Sequence, residues 1–407
     1  MAEPDLVTLD EIRECARLLE GVVRETPVDQ PGFLARLAGR PVLLKHEELQ
    51  RTGSFKIRGA YSHIARLTPQ QRSAGVVAVS AGNHAQGVAL SASLLGVDST
   101  IFMPDTAPLP KIEATRGYGA KVELVAGGLA GAMRAARERA EITGADLVHP
   151  FDDRAVIAGQ GTLGLELVEQ APAATTVVAP IGGGGLVSGI AVAYKALRPD
   201  VRIVGVEAAG ATPMLAAKQA GRPVDLVGVQ TIADGIAVHR VADLTLAHVE
   251  ALVDDVVTVT DEEIARAMLL LLERRKCVVE PAGATTLAAV LAGRVGGEPG
   301  GAVCAVLSGG NVDAALLVRL IEHGLAAAGR YLVMRIALAD RPGELSRLVS
   351  VIAELGLNVI DVEHHRTGPE LPIEQVQVSL TVATRDPEHR DAVVAAVRSR
   401  GYLVEPA

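Results

Sequence analysis

The feature that most constrains this chain is a run of four glycines, Ile181-Gly182-Gly183-Gly184-Gly185-Leu186, set between a β-branched apolar segment at 176–179 and an Ala/Leu-rich segment at 186–196. A strand that ends in glycines and is followed at once by a helix turns several backbone amides toward one point. There the free amides and the helix macrodipole together hold an anion. No register of the run completes GxGxxG: Gly182 and Gly184 are followed by Val187, and Gly183 and Gly185 by Ser188. Glu207 ends the next strand where a ribose-binding acid would fall, yet a single phosphate suits the run better than a dinucleotide's pyrophosphate. The plain alternative is a flexible turn.

The same rhythm of short β-branched runs and longer helical segments continues on both sides. Strands are expected at 42–45, 76–80, 100–103, 122–125, 147–149, 176–179, 202–207, 256–259 and 302–307. Unbroken apolarity at 302–307 predicts burial on both faces, as in a parallel sheet. Thr8 with Glu11 and Thr260 with Glu263 fit the capping box, in which a hydroxyl and a carboxylate satisfy orphan amides reciprocally. The fold class is therefore α/β, with two parallel-sheet subdomains in residues 1–322, the smaller at about 74–150 inserted in the larger. A short Ala/Gly-rich linker at 323–330 precedes a change of pattern. Strands at 331–338, 359–364, 374–382 and 401–404, with helices at 344–355 and 387–400, give the ferredoxin-like βαββαβ order for residues 331–407.

Composition narrows the partners. The net charge is −9 and aromatics make up 2%, so neither the clustered cations nor the stacking platforms of a nucleic-acid surface are at hand. No apolar run approaches the roughly 20 residues that span a bilayer. The first ten residues carry Glu3, Asp5 and Asp10 and no hydrophobic stretch, so the expected location is cytoplasmic. Cys15, Cys277 and Cys304 are too scattered for a disulfide framework or a CxxC metal site. A homo-oligomer, a dimer or tetramer, is expected from the sheet edges of the tail and from Ala/Leu faces that few aromatics cover.

Three further places can carry chemistry. Lysine is scarce, with Lys45, Lys56, Lys111, Lys121, Lys195, Lys218 and Lys276, and Lys56 stands apart because it follows Arg51-Thr52-Gly53-Ser54-Phe55 and opens a helix. At that position the macrodipole opposes an ammonium and favours the neutral amine, which can condense with a carbonyl. A solvated surface lysine is the bland alternative. Ser80-Ala81-Gly82-Asn83-His84 is another strand-to-helix junction, whose amides, Asn83 side chain and Ser80 hydroxyl suit a carboxylate or phenolic oxygen. His84 alone is more often a structural hydrogen-bonding residue. Leu307-Ser308-Gly309-Gly310-Asn311 ends the buried strand, and ligands gather at the carboxyl ends of parallel strands.

Taken together, Thr52-Gly53-Ser54-Phe55-Lys56-Ile57-Arg58-Gly59-Ala60, Ser80 to Gln86, Gly182 to Leu186 and Ser308 resemble, in that order, the motifs of fold-type II pyridoxal-phosphate enzymes, and most closely those of threonine dehydratases. The resemblance implies pyridoxal 5'-phosphate as cofactor. It implies that Lys56 holds it covalently and acts as the catalytic base. Asn83 should contact the ring oxygen, Phe55 and Gly235 should flank the ring, Gly182, Gly183, Gly184, Gly185 and Leu186 should cradle the phosphate, and Ser308 should face the pyridine nitrogen. Ser80, Ala81, Gly82, Asn83 and His84 should hold the carboxylate of an amino-acid substrate. The implied reaction is loss of water from threonine, giving 2-oxobutanoate and ammonia. A serine-preferring dehydratase, a β-replacing synthase of the same fold, and a non-catalytic amino-acid sensor are the alternatives.

Two departures from serine racemases of this fold carry weight. Their second-face acid/base serine is replaced by Ala81, which has no proton to transfer, so racemisation is disfavoured. Of the acidic pair six apart that holds their divalent cation, Glu207 matches the first member and Pro213 replaces the second, so no metal is expected there, and a monovalent cation held by carbonyls stays open. The tail resembles an ACT domain, an amino-acid-sensing module: Asp340-Arg341-Pro342-Gly343-Glu344-Leu345 fits its first strand-to-helix turn and Asn358-Val359-Ile360-Asp361 the entry of its next strand. Gly343, Glu344, Leu345, Asn358, Val359 and Ile360 are thus the expected effector residues, and a branched-chain amino acid is the expected effector. Dimerisation without a ligand is the alternative for this domain.

Overall fold

The computed structural model describes residues 5–327, 329–366 and 374–406, and falls into two compact units, Met1–Val312 and Asp313–Ala407. In chain order the strands are β1 (Val28–Asp29), β2 (Val42–His46), β3 (Val76–Val79), β4 (Ser99–Pro104), β5 (Lys121–Val125), β6 (Asp146–Leu147), β7 (Ala174–Pro180), β8 (Arg202–Ala208), β9 (Asp255–Val259), β10 (Ala302–Leu307), β11 (Tyr331–Ala339), β12 (Val359–His365), β13 (Gln375–Ala383) and β14 (Val404–Pro406).

In the first unit, a six-stranded sheet has the order β1-β2-β10-β7-β8-β9, parallel except for the β1 edge, and a smaller parallel sheet has the order β5-β4-β3-β6. The central strands β10 and β7 are buried almost throughout because helices cover both faces of a parallel sheet. Val177, Ala179, Cys304 and Val306 pack with Leu186, Val187, Ile190 and Tyr194 of the helix Gly185–Leu197, so the glycine run is fixed from both sides. Both expected capping boxes form, at Thr8 and Thr260. The neighbours β7 and β10 end side by side, and their carboxyl ends carry the glycine run and Ser308 to one place.

The second unit is an antiparallel sheet of order β12-β13-β11-β14 with the helices Ala314–Ala327, Glu344–Glu354 and Pro387–Ser399. Strands β11 and β13 bury alternate residues, and Met334, Ile336, Val378, Leu380 and Val382 join Leu348, Ile352 and Val397 in its core. Period-two alternation is what a sheet with one covered face requires. Most boundaries of this unit fall within a residue of the sequence expectation, and two differ by more. Helix Ala314–Ala327 runs through residue 322, where an Ala-rich stretch with no proline continues a helix readily. The last strand begins at Val404 rather than 401, because Gly401 takes a left-handed φ of 91° and forms a turn.

Candidate active site

Lys56 is the first residue of the helix Lys56–Ile64, and the turn before it is tied to the end of β10. Phe55 N donates to Ser308 O at 3.2 Å, Gly310 N donates to Gly53 O at 2.9 Å, and Ser54 bridges Gly309. Two residues on, buried Arg58 grips Glu47 through two hydrogen bonds of 2.8 and 2.9 Å and Glu166 through a third of 2.6 Å, while Lys45 reaches the other oxygen of Glu166 at 2.6 Å. A bidentate guanidinium–carboxylate pair fixes orientation as well as distance. The helix start is therefore held rigidly from beneath.

The Lys56 amine donates to Pro150 O at 3.1 Å and lies 5.2 Å from the centre of the Phe55 ring. Burial lowers its pKa to about 8, with the Glu280 carboxyl pulling the other way. The direction agrees with the sequence argument, but the cause is desolvation of the ammonium rather than the helix dipole.

Around this amine one cleft gathers Phe55, Asn83, Gly182, Gly183, Gly184, Gly185, Leu186, Gly235 and Ser308. Gly184 caps the helix Gly185–Leu197 with a left-handed φ of 95°, and the first amides of that helix have no intrahelical partner. A Cβ at Gly183 would fall 2.1 Å from the Phe151 ring, so the backbone passes where no side chain fits. Ser308, 2% exposed, follows β10 as a neutral hydroxyl at the cleft wall.

The Ser80–Gly82 turn does not line this cleft. Ser80 Oγ accepts from Gly82 N at 3.0 Å, and Ala81 packs against the core of the smaller sheet. The His84 ring is spent on the carbonyl of Val148 at 2.8 Å, and burial, with Lys56 adding repulsion, drives its pKa down to about 3. Its side chain is a neutral structural strut. Both oxygens of buried Glu207 accept backbone amides, from Met214 at 2.7 Å and Leu215 at 3.0 Å, capping the helix that Pro213 opens.

The structure adds residues that the sequence left unmarked. Glu280 Oε1 accepts from Asn83 Nδ2 at 2.6 Å, and Asn83 Oδ1 accepts from Asn311 Nδ2 at 2.8 Å. Burial, with Asp234 adding repulsion, raises the Glu280 pKa to about 7 against the pull of Asn83. Pro150 and Phe151 also line the cleft, with the Phe151 ring packed against Gly183. The only signal for Glu280 is Pro281 after it, which marks a helix start and not the direction of a side chain.

A poised amine, a row of free amides in a cradle that a Cβ would fill, an amide pair and a neutral hydroxyl form a donor set that fits pyridoxal phosphate. A family model of pyridoxal-phosphate dependent enzymes matches residues 19–309. The chain belongs to that family. Within this pyridoxal-phosphate dependent family, the L-threonine ammonia-lyase of Thermotoga maritima is 45% identical over 98% of this chain and 99% of its own. Two solved structures of the family also superpose. A threonine deaminase from T.th. has a TM-score of 0.71 at 41% identity, and the serine racemase of Dictyostelium discoideum has 0.71 at 38%; each covers 75% of this chain and 99% of its own.

An ACT domain model matches residues 333–401. In that domain a cleft between β11 and the helix Glu344–Glu354 is lined by Asp340, Gly343, Glu344 and Leu345 together with His364 and Arg366. Asn358, Val359 and Ile360 are not part of it. They lie at the start of β12, an edge strand exposed along its length, and the far end of that strand reaches the cleft instead. No helix among the described residues is long and apolar enough to cross a membrane.

Proposed function

We propose that the chain is an L-threonine ammonia-lyase that eliminates water from L-threonine, and from L-serine, giving 2-oxobutanoate or pyruvate with ammonia. The observation that carries this reading is a lysine amine with a pKa of about 8 facing the tetraglycine helix start, Asn83 and Ser308 in one cleft. Bound pyridoxal phosphate supplies an aldehyde for the substrate amino group and an electron sink conjugated to Cα. The amides of Gly182 to Leu186 would hold its phosphate, Asn83 would hydrogen-bond it, Phe55 and Gly235 would flank it, and Lys56 would bind it covalently. Of the Ser80 to His84 turn, Asn83 reaches the cleft, and the free amides at the start of its helix Asn83–Leu95 would take the substrate carboxylate.

Once the incoming amino acid has displaced it, the Lys56 amine takes the proton from Cα as a general base matched to neutral pH. Ser308 is a neutral hydroxyl without the negative charge by which a carboxylate partner would keep a pyridine nitrogen protonated, so the cofactor would draw electrons from Cα less strongly and loss of the β-hydroxyl would compete well. The Cα proton and the β-hydroxyl would leave together as water, and the enamine so formed would take up water to give the 2-oxo acid and ammonia. Ala81 offers no second-face proton, which directs the site toward elimination rather than racemisation.

The ACT domain is the seat of control by an amino acid, of the branched-chain class, in the cleft of Gly343, Glu344, Leu345, His364 and Arg366. The protein acts as a cytoplasmic homodimer or homotetramer with a catalytic domain ahead of the ACT domain. Steady-state rates on threonine, serine and O-acetylserine, with product identification and with isoleucine or valine added, test the reading. Release of 2-oxobutanoate from threonine is expected; replacement products alone would assign a synthase. Rates indifferent to both effectors would confine the ACT domain to assembly.

A further inference from the structure

We propose that His46, Glu48 and Cys277 form a zinc site outside the cleft. His46 is the last residue of β2 and Glu48 sits in the turn that follows. Cys277 follows Lys276, whose left-handed φ of 63° ends the preceding helix and sends the chain back past β2. The ligating nitrogen, oxygen and sulfur of the three all lie within 4.8 Å of one another, and none of the three lines the cleft around Lys56.

A second, independent observation points to a ligand. The Glu48 side chain is 3% exposed, and while Oε1 meets His46 Nδ1 at 2.5 Å, Oε2 is buried without a hydrogen-bond partner among the described residues. A charged oxygen left bare in the interior is costly, and a bound cation satisfies it.

The surroundings match a metal site. His46 Nε2 lies 2.8 Å from Asp29 Oδ1, an outer carboxylate of the kind that orients a ligating imidazole, and Nδ1, which meets Glu48 Oε1 at 2.5 Å, is the nitrogen that zinc would take in place of the proton between them. Asp29 is in turn paired with Arg275, which takes up that guanidinium charge. A nitrogen, oxygen and sulfur donor set selects zinc over magnesium or calcium. Half-buried Cys277 leaves room for water as a fourth ligand. Binding displaces the His46 Nδ1 proton and the Cys277 thiol proton to solvent, so Zn²⁺ meets a neutral imidazole, a carboxylate and a thiolate.

The metal would staple the end of β2 to the segment 277–280, which carries Glu280 into the cleft and whose Glu280 amide bonds Gly309 O at 3.0 Å. Its place in the molecule is thus that of a brace under the catalytic floor.

The test uses holoenzyme dialysed against a chelator and then titrated with Zn²⁺ or Mg²⁺. Cys15 and Cys304 are buried, so iodoacetamide labelling followed by peptide mass spectrometry reads Cys277. Zinc should suppress alkylation of Cys277 in the wild type, magnesium should not, and one equivalent of zinc should remain bound after desalting. Cys277→Ser and His46→Gln should lose that equivalent, and Asp29→Asn should weaken zinc affinity by about 10- to 100-fold. Wild-type alkylation indifferent to zinc, or variants that retain the same equivalent, would overturn the site. The labelling of wild-type protein decides the matter even where a variant fails to fold.

Discussion

Glu280 and Asn83 share a 2.6 Å hydrogen bond that joins the start of the helix Pro281–Leu291, beside the large sheet, to the start of the helix Asn83–Leu95, beside the small one. The carboxyl is fully buried, and burial raises its pKa from 4.5 to about 7. A folded-state pKa above the unfolded one means that ionisation opposes folding. Stability is greatest below pH 4.5 for this group and is lost as pH rises toward 7, by about 3 kcal/mol. Glu280→Gln keeps an acceptor for Asn83 and removes the charge. Thermal unfolding of the two proteins should coincide near pH 4.5 and separate by pH 8, with the variant the more stable; a constant gap across that range would contradict this account.

The Lys56 amine should control cofactor uptake. With a pKa of about 8, about one amine in ten is neutral at pH 7, against about one in 3,000 for an ordinary lysine. The rate at which stripped protein acquires the visible absorbance of bound cofactor should climb with pH and level off above about 8. Lys56→Ala should lack that absorbance and lose threonine turnover by about 10⁴-fold or more. A rise that continued to pH 10 would show that the amine is solvated.

What the sequence made legible follows from locality. Strand β10 stands out as an unbroken apolar run because helices cover both faces, whereas β1 is a two-residue antiparallel edge with no pattern to read. Lys56, Asn83, the glycines and Ser308 are visible because each sits at a strand–helix junction, where the chain itself sets the direction of the amides. Glu280, Asn311 and Phe151 acquire their place only when distant segments meet: the Glu280–Asn83 contact spans 197 residues of chain. His84 illustrates the reverse case, a residue in a recognisable motif whose ring is turned to Val148. In the ACT domain the turn at Gly343 was legible as a glycine requirement, with φ at 90°, but the partner end of β12 depends on antiparallel register, which the sequence does not print.

Gly183 and Phe151 are so close that the backbone of one occupies the space beside the ring of the other. A Cβ at position 183 would lie 2.1 Å from that ring, so Gly183→Ala forces a shift of the loop or of the ring, at about 1–3 kcal/mol. If, as proposed, the loop amides hold the phosphate, cofactor titration should show weaker binding along with a lower Tm. Adding Phe151→Ala should return part of the affinity; a double variant no better than Gly183→Ala would mean that the ring is not what limits the loop.

The buried network beneath Lys56 should behave as a unit. Arg58, Glu47, Glu166 and Lys45 neutralise one another, with Arg58 and Glu47 both fully shielded from solvent and Thr26 Oγ1 donating to Glu47 at 2.5 Å. Glu47→Gln leaves the Arg58 charge short of its bidentate partner in the interior, a loss of about 3–5 kcal/mol in chemical denaturation. Replacing Arg58 by Met strands Glu47 instead, since Glu166 keeps Lys45, and should be at least as damaging, while Arg58→Met with Glu47→Leu removes both charges of the bidentate pair and should recover part of the loss. Since the helix Lys56–Ile64 is seated on this network, kcat should fall in both single variants under conditions where they remain folded, with less effect on KM. Full activity in a folded Glu47→Gln protein would show that the turn at 53–55, tied to Ser308 and Gly310, positions the amine without help from below.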